Sequence, residues 1–158
     1  MRIQDLKERS NEPKPDYPNP LRSIGMNDPL FQKWADLMDE VEGELLDRYK
    51  KENNIIQSLV GKEYGDAIKK LRYRYGQVIT VPISNLTSIE PFLYKDHLDT
   101  LLRGGERKPD LPLVYKMGSN YLIGDGNHRV VADYLGGKKS TKVVLMDLDK
   151  LWKALFRT

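Results

Sequence analysis

Cysteine is absent from all 158 residues, which excludes disulfides, thiolate nucleophiles and cysteine-based zinc sites. Histidine is nearly as scarce, with two copies; without a third, or a tight set of carboxylates, a zinc centre of ordinary composition is not expected. No apolar stretch approaches the roughly 18 residues needed to cross a bilayer. The opening MRIQDLKERSNEPKPDYPNP also lacks the apolar core of a secretion signal. These absences predict a soluble, cytoplasmic protein with no membrane partner. Repeats and low-complexity runs are missing too, and the length suits one domain with an appendage.

What is present is unevenly distributed. The formal charge is +3, but residues 1–60 carry 9 Lys and Arg against 12 Asp and Glu, whereas 61–158 carry 17 against 11. An anion-binding surface is therefore expected in the second part, with a merely solubilising lysine excess as the alternative. Residues 1–25 hold Pro13, Pro15, Pro18 and Pro20 and read as an extended or disordered arm that Tyr17, Leu21 and Ile24 could pin to a neighbouring surface. Residues 26–76 read as a helical subdomain. Asp28–Pro29 is a helix start, and Leu30, Phe31, Trp34, Leu37, Met38, Val41, Leu45, Leu46 and Tyr49 recur at helical spacing to about Lys51. A short helix over 55–60 and another over 62–75 are expected next. The breadth of the first helix's apolar side also admits a homodimer.

Residues 77–158 change texture. Strands are predicted over 78–83, 111–116, 121–124 and 141–146, and helices over 94–102 and from the 124–129 turn to Leu135. Asp147 or Asp149 is expected to cap a last helix carrying Leu151, Trp152, Leu155 and Phe156. The order predicts an α+β fold, a small mixed sheet preceded by helices.

The densest chemistry lies in YLIGDGNHRVVADYL, residues 121–135. A strand, a glycine-rich turn and a helix start bring free backbone amides to one point, and such a point favours an anion. Gly124, Gly126, Asn127 and Arg129 form a candidate phosphate cradle, Arg129 supplying a permanently charged fork. His128 is a candidate for proton transfer near neutral pH. Asp125 is ambivalent beside a phosphate: it could cap the helix, accept from a ligand hydroxyl, or hold a divalent metal such as Mg2+. Arg129 and Asp133, four apart, could instead form a surface ion pair.

Softer candidates surround this turn. Glu90, Arg107 and Lys108 lie in loops that could border the same pocket. Lys69, Lys70, Arg72 and Arg74, interleaved with Tyr73 and Tyr75, are a candidate nucleic-acid contact. His97 reads as surface.

VITVPISNL (78–86) and LPLVYKMGSNYLIGDGNHRVVADYLGGKKSTKVVLMDLD (111–149) together resemble the ParB N-terminal/sulfiredoxin-like superfamily. Its members carry a Val/Ile-Pro-Ile/Val strand end, a paired strand ending in Gly, a G-x-x-R-type turn opening a helix, and a small residue plus Gly before the last strand. The resemblance covers 78–149 and implies a ParB/sulfiredoxin-like fold whose 126–129 turn binds nucleotide phosphates, with ATP or CTP and Mg2+ as implied cofactors. Asn127 stands where sulfiredoxins have their catalytic Cys, so sulfinic-acid reduction is excluded. The Asp-Gly-x-His-Arg form is most similar to nuclease-like, ATPase-like and DNA-modification-associated branches found in phages and other mobile elements. Glu90 matches an acidic residue that some kinase- or ATPase-like relatives place after the first strand.

Two functions follow as expectations. One is a metal-dependent nuclease or nucleotide hydrolase using Asp125, His128 and Arg129; the other is a non-catalytic nucleotide- or DNA-sensing module that binds or inhibits a protein partner.

Overall fold

A computed structural model describes residues 14–157; Pro13 and the part of the arm before it lie outside the described residues. Helix α1 (Pro29–Glu52) starts where the sequence marks it: the Leu30 amide donates to Asp28 Oδ1 at 2.9 Å and Pro29 takes the first helical position. It ends at Asn53, and Asn54 takes a left-handed φ of 56°. The short helix expected over 55–60 does not form. Six residues offer too few hydrogen bonds to offset nucleation, and Ile56 is 96 % exposed, so no core rewards folding it. Helix α2 (Gly61–Tyr75) follows and buries Ala67, Ile68 and Leu71.

Strand β1 (Tyr17–Pro18) precedes these helices, and β2 (Gln77–Pro82), β3 (Leu86–Ser88) and β4 (Phe92–Leu93) follow them. Then come α3 (Lys95–Leu102), β5 (Leu113–Met117), β6 (Asn120–Asp125), α4 (Asn127–Leu135), β7 (Ser140–Asp147) and α5 (Leu148–Phe156). Of the two candidate caps for α5, Asp147 is the one used, accepting from the Lys150 amide at 3.1 Å. The main sheet runs β2-β7-β5-β6-β3: β7 is antiparallel to β2 and parallel to β5, and β6 is antiparallel to β5 and parallel to β3. Pro82 closes the edge strand β2, where its missing N–H costs no ladder bond. This is a mixed α+β fold in which helices are followed by a mixed sheet.

The sheet is buried on both faces, and residue alternation sorts the core into two layers. Leu113, Tyr115 and Met117 of β5, with Val144 and Met146 of β7, join Trp34, Val41 and Leu45 of α1, Ile68 and Leu71 of α2, and Leu148 and Leu155 of α5. Val114, Val143 and Ile123 point the other way, to Leu98 and Leu101 of α3 and Val130 and Val131 of α4. Each such side chain, fully buried, contributes about 1.5–3 kcal/mol.

A buried polar network crosses the first layer. The Tyr115 hydroxyl donates to Glu42 Oε1 at 2.6 Å, and Arg72 donates to both Glu42 oxygens at 3.2 and 3.3 Å. Burial, then the Glu42 charge, pushes the Tyr115 phenol up, so it remains a donor. Arg72 is thereby committed to joining α1, α2 and β5. The arm from residue 14 onward is laid against the fold. Tyr17 pairs with Leu93 and Ser23 with Ser88, while Leu21 and Ile24 are buried.

Candidate functional site

Strand β6 delivers Gly124 and Asp125 to the sheet's end, and the chain turns at Gly126 into α4. Both glycines are required by space. A Cβ on Gly124 would lie 2.4 Å from Cε2 of Tyr115. Gly126 has φ 91°, and a Cβ there would lie 2.9 Å from Arg129 Nη2 and 3.1 Å from Pro112 Cα. Gly126 is also the residue before the helix, so α4 begins with no side-chain cap. The capping use of Asp125 is therefore not realised: its carboxylate is half-exposed and stands 3.9 Å from Arg129 Nη2. The first amides of α4 face outward with the positive end of the helix dipole.

Arg129 is buried, 7 % exposed. Its Nη1 donates to the Asp110 carbonyl, and its Nη2 is buried with no hydrogen-bond partner. The ion pair expected with Asp133 is replaced. Asp133 accepts from Arg107 Nη1 at 2.9 Å and lies 3.6 Å from Lys138 Nζ, because the 103–112 loop folds back over α4. Asn127 turns its side chain inward, accepting from Ser88 Oγ at 2.5 Å and donating to the Ile123 carbonyl at 3.4 Å. Only its backbone is left for a ligand.

His128 is held from three sides. Its Nε2 accepts from the Tyr94 amide at 3.0 Å, its ring stacks on His97 at 4.5 Å and on Tyr94 at 5.8 Å, and its Nδ1 lies 3.8 Å from Glu90 Oε2. Burial, then the neighbouring His97, pushes the imidazole down to about 4. The ring is neutral at physiological pH with its proton on Nδ1, toward Glu90. Burial, then Asp125, raises the Glu90 carboxyl above its ordinary value.

Glu90, His97, Asp125, Asn127, His128 and Arg129 line one cavity of about 260 Å3, together with Glu106, Arg107, Lys108 and Gly124. The lining combines the carboxylates Glu90, Glu106 and Asp125 with the cations Arg107, Lys108 and Arg129. Of the sequence-predicted residues, Glu90, Arg107, Lys108 and 124–129 are brought together here. Lys69, Lys70, Arg72 and Arg74 do not line this cavity. Lys69 pairs with Asp110 at 2.7 Å and Arg74 with Glu52 at 3.2 Å, while Lys70 is exposed.

No protein-family model matches this chain, and no curated protein matches it in sequence. Two solved structures share part of the fold. A conserved hypothetical protein from Pyrococcus furiosus has 22% identity over 45% of this chain and 32% of its own, with a TM-score of 0.40. The C-terminally truncated chromosome-partitioning protein ParB from Caulobacter crescentus, complexed with CTP-gamma-S, has 16% identity over 52% of this chain and 54% of its own, with a TM-score of 0.38.

Two residues of this region escape sequence reasoning. His97, read as surface, lines the cavity, and nothing in a linear reading shows that α3 packs beside α4. Ser88, fully buried, fixes Asn127 from a three-residue strand too short to leave a periodic signal. Among the described residues no group of three His, Asp or Glu side chains could hold a metal, and no helix is long and apolar enough to cross a membrane.

Proposed function

We propose that the 124–129 turn binds the phosphate of a nucleotide or nucleic acid. The observation that carries this reading is the buried Nη2 of Arg129, which makes no hydrogen bond and has the exposed Asp125 carboxylate 3.9 Å away, beside the uncapped start of α4. An unsatisfied buried donor on a charged group costs several kcal/mol, which a phosphate oxygen would recover while also meeting the free helix amides. The sequence resemblance to ParB-like phosphate-binding turns agrees with this chemistry.

A second reading, Mg2+-assisted hydrolysis, is favoured by one arrangement. Glu90 and Asp125 line the same cavity as the basic groups, and Mg2+ is commonly held by one or two carboxylates plus phosphate oxygens. The two carboxylates would hold the ion, which supplies neutralisation of phosphate charge. Arg129 and the α4 amides would stabilise charge on the phosphoryl oxygens. His128 then acts chiefly by orienting Glu90, because its Nε2 is engaged by the Tyr94 amide.

Calorimetric titration with ATP and CTP, with and without Mg2+, tests both. Arg129→Ala is expected to weaken binding about 10- to 100-fold, the worth of a charge-assisted hydrogen bond. Glu90→Gln and Asp125→Asn should lower the Mg2+-dependent part of binding and any release of phosphate. Binding indifferent to Arg129→Ala would remove the phosphate reading.

A further inference from the structure

The cavity does not end at Arg129. A second trough of about 310 Å3 lies on the far side of Arg107, Lys108 and Arg129, which line both, and continues to Lys138 and Lys142 at the start of β7. The two troughs thus share a ridge made entirely of cations. Asp133 organises the second one: its buried carboxylate holds Arg107 and Lys138 and lies 3.5 Å from Thr141 Oγ1. The other acid there, Asp110, is neutralised by Lys69. Lys138 and Lys142 are both exposed; Lys138 Nζ lies 3.6 Å from Asp133, and both side chains are within reach of an incoming anion. At its outer end the trough meets α2, where Tyr73, itself exposed, accepts from the Leu111 amide at 3.3 Å.

We infer that the ligand of this site is a single-stranded nucleic acid, its backbone crossing the Arg107–Lys108–Arg129 ridge from one trough into the other. This rests on the phosphate reading of the 124–129 turn and names its substrate class. A mononucleotide fills one trough and leaves the second set of cations unused. A duplex keeps its bases stacked inside and presents phosphates alone, so both concavities stay unfilled. A single strand can turn bases aside into each trough while successive phosphates follow the cations, and Tyr73 offers an exposed aromatic ring at the exit.

Fluorescence anisotropy separates these cases, using a labelled twelve-residue oligothymidylate, a duplex of equal length and a labelled ATP. The single strand is expected to bind about tenfold tighter than the mononucleotide. Lys138→Ala/Lys142→Ala should weaken the single strand about tenfold and reduce its log–log salt slope by about 1.4, two phosphate contacts at ~0.7 each. The same double variant should leave ATP binding unchanged, whereas Arg129→Ala should weaken both ligands. A duplex that binds as tightly as the single strand overturns the inference. So does a double variant that binds the oligonucleotide like the parent, although ATP binding sensitive to Arg129→Ala would still uphold the phosphate site. If neither ATP nor oligonucleotide binds, the phosphate reading fails, and the strand path with it.

Discussion

Two buried arginine environments in this protein are built to opposite ends. On one face of the sheet, Arg72 meets both oxygens of Glu42, whose Oε1 also accepts from Tyr115. At the end of the sheet, Arg129 is buried more deeply yet has one guanidinium nitrogen without a hydrogen bond. A closed network can serve only the fold. An open one carries a cost that the folded chain does not recover by itself, and the donor without a hydrogen bond is where the proposed phosphate would be met. Unpaired atoms alone are not enough for that conclusion: Trp34 Nε1 also lacks a partner, but it sits inside the helix-covered core, packed against Phe31 and Tyr115, and Trp34 lines neither trough.

The contrast can be broken by stability measurements. Glu42→Ala strands Arg72 and the Tyr115 hydroxyl, and urea denaturation should show a loss of about 3 kcal/mol, the low end for a broken buried pair because Arg72 keeps some contact with water. Arg129→Ala removes one bond to the Asp110 carbonyl and should cost about 1 kcal/mol. Equal losses would erase the distinction between the two sites.

Gly124 is where the two environments touch, since its backbone lies on the Tyr115 ring that Glu42 holds in place. Gly124→Ala should cost about 2 kcal/mol by overpacking. In a Tyr115→Leu background, with the ring gone, the penalty should shrink by about 1 kcal/mol, a coupling that a double-mutant cycle reads directly. Additive losses would mean that the turn and the network are independent.

The smallest expected effect concerns pH. Folded His128 stays neutral down to about 4, against 6.5 for a free imidazole. Between those values the unfolded chain binds the extra proton, so this group's contribution is complete above 6.5 and is lost as pH falls toward 4. Glu90, raised in the folded state, opposes the trend in part. Denaturation midpoints between pH 4 and 7 should therefore fall on acidification, and His128→Gln, which can still accept from Tyr94, should flatten the slope.

The sequence-level reading succeeded where structure is local. Asp28–Pro29 and Gly104 bound their helices, and the strands expected over 111–116 and 141–146 form as β5 and β7. The cluster at 124–129 stood out because its residues are contiguous. What stayed hidden depends on tertiary contact. Strands β1, β3 and β4 are two or three residues long, below any detectable period, and exist because neighbours supply their hydrogen bonds. The inward turn of Asn127 and the replacement of Asp133 as Arg129's partner depend on Ser88 and Arg107, far away along the chain.

The N-terminal segment carries a consequence for the order of assembly. Asn19 Nδ2 donates to the Glu90 carbonyl at 2.8 Å, and Asp16 Oδ1 receives the Lys95 amide at 2.9 Å, across separations of 71 and 79 residues. In the 124–129 turn, by contrast, Arg129 reaches Asp110 across 19 residues and Asn127 reaches Ser88 across 39. Loop closure over the longer spans comes late relative to hairpin formation. The 124–129 turn thus closes over shorter loops than the segment bearing Glu90 and Lys95, which locks only when the beginning of the chain returns to it.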